Sequence, residues 1–511
     1  MLNMAEWKKK FQLGLSENIL LIVALIACTP LYLRDAFRYS VPMGYAGLFT
    51  QMAKQIADAN FHLPMMSPFY GPGGIPFAYP PFGMYFLAVF IKLTGKYFIF
   101  LRLLPPLIGL ISFIPLYFIT LELSKSRLAA MASVIIAATS QDIYISNAWA
   151  AGIVRAPAFL FSLISIYFIL RQSNTQSRSN NLLAGVFLGL TFMSHLIHAL
   201  FTFLWIWWWS VFNKNILYRI KDTLLISAIG ALVTSIWLVP VLLRHGIGVF
   251  VNAFGSHGGS FLLTFWSYSI KSLFSLFLNN ISPISSSWPL ALLVLIGVIF
   301  LLLNKNLAFL SLFLFVILVF PESDRFVFLM GSIAAGIGLF TITEIITSRV
   351  SIERLKPVLV AVVIIPVLGF LWQQGFAATS SKLPQLNSAM LDLADHVQAM
   401  VPPDKNYLAL IKQNEAEWMP FLFQREPVVC KWGSEWLGTF DEQTNYNAWF
   451  HVCQTEQDWA CVENSVATIN VNPQYIISYS RDKRLNSDIQ FDGAWAKIYE
   501  NDRYVMWKAL K

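Results

Sequence analysis

From Glu17 to Phe376 the chain alternates long apolar runs with short polar turns. A membrane-spanning helix needs roughly 20 apolar residues, with 17 to 25 tolerated. On that measure the pattern predicts spans at Glu17–Leu33, Phe98–Leu121, Leu128–Tyr144, Val154–Leu170, Leu182–Ile197, Leu200–Phe212, Thr223–Leu243, Trp288–Leu303, Leu307–Phe320, Phe326–Ile346 and Val358–Phe376. That is about 11 in all. A long interval, residues 34–97, separates the first two. Within it, Tyr45, Leu48, Phe49, Met52 and Ile56 recur at three- and four-residue spacing, so Gly44–Asp58 reads as an amphipathic helix lying on the membrane or against other helices. A turn-rich run, Ser67–Gly74, leads to Tyr79-Pro80-Pro81-Phe82, and Pro81–Gly95 is predicted to lie at the outer surface rather than cross.

After Phe376 the pattern changes. Apolar runs shrink to strand length at Tyr407–Ile411, Pro427–Cys430, Tyr475–Tyr479, Trp495–Tyr499 and Tyr504–Ala509, and Leu386–Met400 has helical periodicity. The expected organisation is therefore a helical membrane domain, 1–376, and a C-terminal α/β or α+β domain, 377–511. At about 135 residues the second is large enough to bury its own core. A further long interval, Arg244–Ser287, is rich in glycine and serine around His257. It reads equally as a lid and as a connector with an interfacial helix, Leu262–Leu278.

Composition sharpens this. The 511 residues are 56% hydrophobic and 13% charged, with mean hydropathy +0.59, whereas a soluble chain carries about 25% charged residues. The fold class is a polytopic α-helical membrane protein. Its net charge of +8 is distributed by topology. Lys8–Lys10, Lys125 with Arg127, Arg171 with Arg178, Lys214 with Arg219 and Lys221, Lys305, and Arg349 with Arg354 and Lys356 fall on alternate loops. By the positive-inside rule the N-terminus is cytoplasmic, and an odd number of spans puts the C-terminal domain outside the cell membrane. No small-residue cleavage site follows the first span, which reads as a retained helix. No basic patch marks a soluble face, which argues against nucleic acid as a partner. Of the 4 cysteines, Cys28 lies in the first span, and Cys453–Cys461 is the nearest pair for a disulfide beside Cys430.

Candidate chemistry gathers at the outer ends of the spans. Asp35 ends the first. A carboxylate there is costly unless solvated or paired, so it either pairs with Arg34 or Arg38 or serves as a general base facing a cavity. Arg325 and Arg155 open later spans. Arginine keeps its charge and forks onto phosphate oxygens. The bland alternatives are a local pair of Arg325 with Glu322 or Asp324, and a snorkelling Arg155. His195 and His198 lie three apart on one predicted helical face. No third ligand is near, so they suit a buried or substrate-bonding role better than a metal. Arg38, Tyr39, Tyr79 and His257 complete the cavity candidates. Trp418, Trp432 and Trp436 could stack on a sugar or fill a core.

Taken together, the cytoplasmic N-terminus, the acidic residue ending span one, the amphipathic helix, the Pro80-Pro81-led helix and Arg102-Leu103-Leu104-Pro105 resemble the GT-C superfamily of membrane glycosyltransferases. Protein O-mannosyltransferases, the lipid A aminoarabinose transferase and the oligosaccharyltransferase catalytic subunit are familiar members. The resemblance covers residues 1–376 in architecture but only about the first hundred in motif. It implies transfer of a sugar from a polyprenyl-phosphate or polyprenyl-diphosphate carrier, usually with inversion, to a glycan, lipid or protein acceptor. Asp35 then matches the first-loop base, although Ala36 replaces a second acid and Tyr79 stands where Lys or His precedes the prolines. Pro321–Phe326 resembles the arginine-bearing entry of the aminoarabinose transferase type, where the arginine meets the carrier phosphate. Some members use a divalent cation and others do not, and no acidic cluster here demands one. The main rival reading is a transporter or flippase of a lipid-linked sugar. Against it, no internal repeat is visible and the polar residues sit at the outer lip. A scaffold with a membrane anchor is the second rival, and so many spans argue against it.

Overall fold

The structure, a computed structural model, describes residues 19–175, 177–212, 216–256, 270–320 and 323–510. Helix α1 (Ile19–Arg38) runs into the first loop, which holds α2 (Gly47–Asp58), a hairpin of β1 (Met66–Ser67) and β2 (Ile75–Pro76), and α3 (Phe82–Thr94). The bundle continues through α4 (Tyr97–Ile111), α5 (Phe113–Ser124), α6 (Arg127–Ala138), α7 (Gln141–Ala148), α8 (Gly152–Thr175), α9 (Arg178–Phe192), α10 (Leu196–Val211) and α11 (Ile216–His245). The interval before the next long helices contains α12 (Gly248–Phe254), α13 (Ile270–Asn280) and α14 (Ser282–Ser285). Then come α15 (Trp288–Leu303), α16 (Leu307–Val319), α17 (Asp324–Ser348) and α18 (Lys356–Ser380). Of the expected helix Leu262–Leu278, only the part from Ile270 onward lies within the described residues, and it is helical.

Six described helices are long and apolar enough to cross a membrane, or seven if a bent pair is one span; α3, α10, α15 and α16 are shorter apolar helices. The chain is thus an integral, multi-pass membrane protein, but two expected spans are broken. Leu128–Tyr144 splits into α6 and α7, which meet at 73°. The hydroxyl of Ser140 caps α7 by accepting from the Ile143 N–H, so the turn completes one helix start inside an apolar run. Leu182–Ile197 breaks after Phe192, where the Met193 carbonyl accepts the first N–H of α3, from Phe82, at 2.8 Å. His195 is extended there (φ −162°, ψ 125°) and caps α10. The two histidines therefore do not share a helical face. They meet across a helix start.

Helix packing is closest between α15 and α17. A methyl group on Gly297 would overlap the Ala334 carbonyl, and one on Gly338 would overlap that of Leu293. Small residues let the two backbones approach where lipid offers no hydrophobic drive to association.

The C-terminal region opens with α19 (Ser388–Met400) and β3 (Asn406–Leu410). It continues through α20 (Gln413–Ala416), α21 (Met419–Phe423), β4 (Glu426–Pro427), α22 (Phe440–Glu456), α23 (Trp459–Thr468), β5 (Tyr475–Tyr479), α24 (Lys483–Phe491), β6 (Trp495–Glu500) and β7 (Tyr504–Ala509). The five strands form one mixed sheet, ordered β4-β3-β5-β7-β6. Strand β3 is parallel to β4 and β5, and β7 is antiparallel to β5 and β6. A disulfide joins Cys453 to Cys461, while Cys28 and Cys430 are buried thiols. One apolar core fills the bundle; a second joins the first loop, α3 and one face of the sheet; a third lies behind the sheet. Helix α2, almost wholly buried, belongs to the second core and does not lie on the lipid surface.

Candidate functional site

The second core gathers polar and aromatic side chains between the bundle and the sheet domain. Arg155, in the first turn of α8, donates from Nη2 to the Tyr45 hydroxyl at 2.8 Å, and its Cζ lies 5.7 Å from the centre of that ring. The Tyr45 ring packs 4.6 Å from Trp432, and the Lys431 ammonium stands 4.9 Å over the Trp432 ring. A column of cation, two rings and cation thus runs from bundle to sheet domain. Such contacts contribute about 0.5–1 kcal/mol each at exposed sites and more when desolvated.

Beside the column, Tyr79 meets Phe49 at 4.9 Å, Trp436 at 5.8 Å and His195 at 6.4 Å between ring centres. His195 and His198 face each other, Nδ1 to Nδ1, at 3.3 Å. His198, wholly buried, packs on Phe326 at 5.2 Å, and the Arg325 guanidinium lies 5.1 Å from the same ring. Arg155 and Arg325 both lie within electrostatic range of His198. Among the described residues, Nε2 of His198 and Nε1 of Trp432 and Trp436 are buried without a hydrogen-bond partner. Buried polar groups are nearly always hydrogen-bonded, so these three atoms suit a polar ligand.

Asp35 forms a neighbouring cluster. It is 4% exposed, and its carboxylate accepts from Arg34 Nε at 2.7 Å, Arg34 Nη2 at 3.0 Å and the Tyr144 hydroxyl at 2.6 Å. The partner the sequence left open is Arg34. Helix α7 links the two clusters: Tyr144 binds Asp35, and Asp142, two residues earlier, is in electrostatic range of Asp324 and Arg325. Sequence reasoning missed Asp142, because it lies inside what reads as an uninterrupted span. The signal was Ser140-Gln141-Asp142, a capping serine followed by an acid in the first turn.

Arg38 and Tyr39 are not gathered with the others. Arg38 is exposed and stacks on Tyr39 at 5.2 Å, and the Tyr39 hydroxyl donates to the Lys382 carbonyl at 3.4 Å. Tyr39 thereby ties the end of α1 to the segment that enters the sheet domain. His257 lies outside the described residues. Trp418 is core, with its Nε1 donating to the Gly44 carbonyl at 2.9 Å.

A buried carboxylate helps clasp the sheet domain to the first loop. Glu417, 1% exposed, accepts from the Gly47 N–H through Oε2 and from the Leu48 N–H through Oε1, both at 2.8 Å. It therefore caps α2 from another part of the chain. Burial pushes its carboxyl up to about 7 against the opposing pull of the backbone N–H groups. Buried Glu435, between Trp432 and Trp436, is likewise pushed up to about 7 by burial, and burial lowers the nearby Lys431. Among the described residues no group of three His, Cys, Asp or Glu side chains is placed to hold a metal ion.

The profile of the dolichyl-phosphate-mannose-protein mannosyltransferase family matches residues 78–242, the stretch that supplies Tyr79, Asp142, Arg155 and both histidines. Over the whole chain, the structure is similar to ArnT from Cupriavidus metallidurans bound to undecaprenyl phosphate. That match has 12% identity and a TM-score of 0.56, and it covers 96% of this chain and 97% of that one. The chain has the GT-C superfamily fold. A second GT-C protein, the Archaeoglobus fulgidus oligosaccharyltransferase, matches with TM-score 0.64 and 13% identity over 93% of this chain and 70% of its own. The mycobacterial arabinofuranosyltransferase AftD matches with TM-score 0.50 and 12% identity over 97% of this chain and 40% of its own. No curated protein sequence matches the chain.

Proposed function

We propose that this GT-C chain is an integral membrane glycosyltransferase that moves a sugar, with inversion, from a polyprenyl-phosphate carrier to an acceptor hydroxyl. The carrying observation is that Arg155, held by Tyr45 and Trp432, and Arg325 both lie within electrostatic range of His198, near buried ring nitrogens that lack partners among the described residues. In this reading the bundle is residues 1–376, the sheet domain is 377–511 and lies outside the cell, and the reaction takes place beneath it.

The acceptor oxygen attacks the anomeric carbon, and the bond from that carbon to the carrier phosphate oxygen breaks. Negative charge then grows on the departing phosphate, where preorganised cations stabilise the transition state most. Arg325 and Arg155 fill that role, with His195 and His198 as hydrogen-bonding neighbours. Asp35 takes the acceptor proton, with Arg34 and Tyr144 fixing the orientation of its carboxylate. The similar ArnT structure holds undecaprenyl phosphate and an Archaeoglobus fulgidus AglB structure holds a dolichol-phosphate, which supports a lipid-phosphate carrier here.

Purified protein incubated with radiolabelled polyprenyl-phosphate sugars tests this. The wild type should release label from one carrier to an acceptor. Asp35→Asn should lose turnover and keep donor-lipid binding. Full turnover by that variant would refute the base assignment. Movement of intact labelled lipid between leaflets, without cleavage, would favour a flippase.

A further inference from the structure

A cavity lies at the end of the bundle opposite the candidate site. Ser287, at the start of α15, donates to Gln374 near the end of α18, beside the sheet domain. Helix α15 therefore finishes, at Leu303, at the far end. Thr139 packs against Gly375, so α6 likewise begins at the far end. There the α5–α6 turn, the end of α10 and the α15–α16 turn line an open cavity of ≈490 Å³. The polar lining includes Lys125, Lys305, Asn304 and Asn306, and the apolar lining includes Trp209 and Phe300.

Both lysines occupy left-handed backbone positions, Lys125 at φ 56° and Lys305 at φ 57°. Glycine or asparagine usually ends a helix this way, yet Asn304 and Asn306 flank Lys305 without taking the position. The two turns thus give up the favoured residue and place two lysines in the lining of one cavity. Lys125 pairs with Glu122 at 2.6 Å, an exposed contact between residues three apart that holds a side chain only weakly. The first turn of α16 also lines the cavity, and it adds the positive end of a helix dipole. On the outer side the wall continues into exposed apolar surface: Phe212 is 48% exposed, Leu307 53% and Leu303 76%.

We infer that this cavity binds one anionic glycerophospholipid of the leaflet opposite the sheet domain. Its phosphate sits between Lys125 and Lys305, and an acyl chain lies along Phe212 and Leu307. Charge complementarity selects the occupant: basic pockets between membrane helices hold anionic headgroups, and each nearby lysine adds appreciably to that attraction. A zwitterionic lipid meets the same apolar wall without the net charge. The inference is independent of the proposed transferase activity.

Native mass spectrometry of the full chain in detergent, with phosphatidylglycerol or phosphatidylcholine added, tests it. One phosphatidylglycerol should stay bound per chain and phosphatidylcholine should not. Lys125→Asn combined with Lys305→Asn suits the left-handed turns and should weaken retention by about tenfold or more. Ala308→Trp keeps both charges but fills the cavity, and it should also lose the lipid. Equal retention of the two lipids, or undiminished retention by either variant, would overturn the site. So would inorganic phosphate raising the Tm as much as phosphatidylglycerol does.

Discussion

Arg155 and Arg325 both bear on turnover in the proposed reaction, and substitution of each should lower it. Arg155 is built into a column with Tyr45 and Trp432, so Arg155→Ala should lower both stability and turnover. Arg325 lies against Phe326 at the start of α17. In its alanine variant, turnover of the labelled donor should fall about 10²- to 10³-fold, as when one preorganised donor is lost from a charge-stabilising site. Arg325→Lys should recover only part, because an ammonium cannot fork onto two oxygens. Residue type and position made Asp35, Arg155, Arg325, Tyr79 and the two histidines legible as candidates. Tyr45, Lys431 and Glu417 were not, since each acquires its role only when the sheet domain meets the first loop. Asp142 was hidden by the apolar run around it.

Among the elements, strands were the most legible. Tyr475–Tyr479 and Tyr504–Ala509 form where alternation and β-branched or aromatic content predict them. Hydropathy could not show the breaks at Ser140 and His195, because a single capping serine, or one carbonyl that accepts from a distant helix, leaves the average of a long window unchanged. Nor could it show how closely two helices approach. Gly338→Ala places a methyl group against the Leu293 carbonyl of α15. Overpacking of this kind costs about 1–3 kcal/mol, so the variant should melt several degrees lower in detergent. Gly369→Ala, on α18, where an added methyl meets nothing within 4 Å, serves as the control and should not.

On the scale of the whole molecule, the sheet domain and the bundle share one core and one buried clasp. Glu417 and Glu435 ordinarily titrate near 4.5, and burial raises both to about 7. The folded protein therefore holds protons that the unfolded chain releases between those values, and stability falls as pH rises through that window. Their contribution is complete below about 4.5 and gone above about 7. Thermal melts from pH 5 to 8 should show this decline, and Glu417→Gln should flatten it by about one proton. An unchanged slope would mean that Glu417 stays ionised at its helix N-terminus. The clasp also has a timing. The carboxylate that completes the start of α2 lies 370 residues downstream of Gly47. At about 5–20 residues per second, a ribosome reaches it roughly twenty seconds to over a minute after making that helix. For that interval the nascent first loop must wait with its leading amides bare to water or to a chaperone.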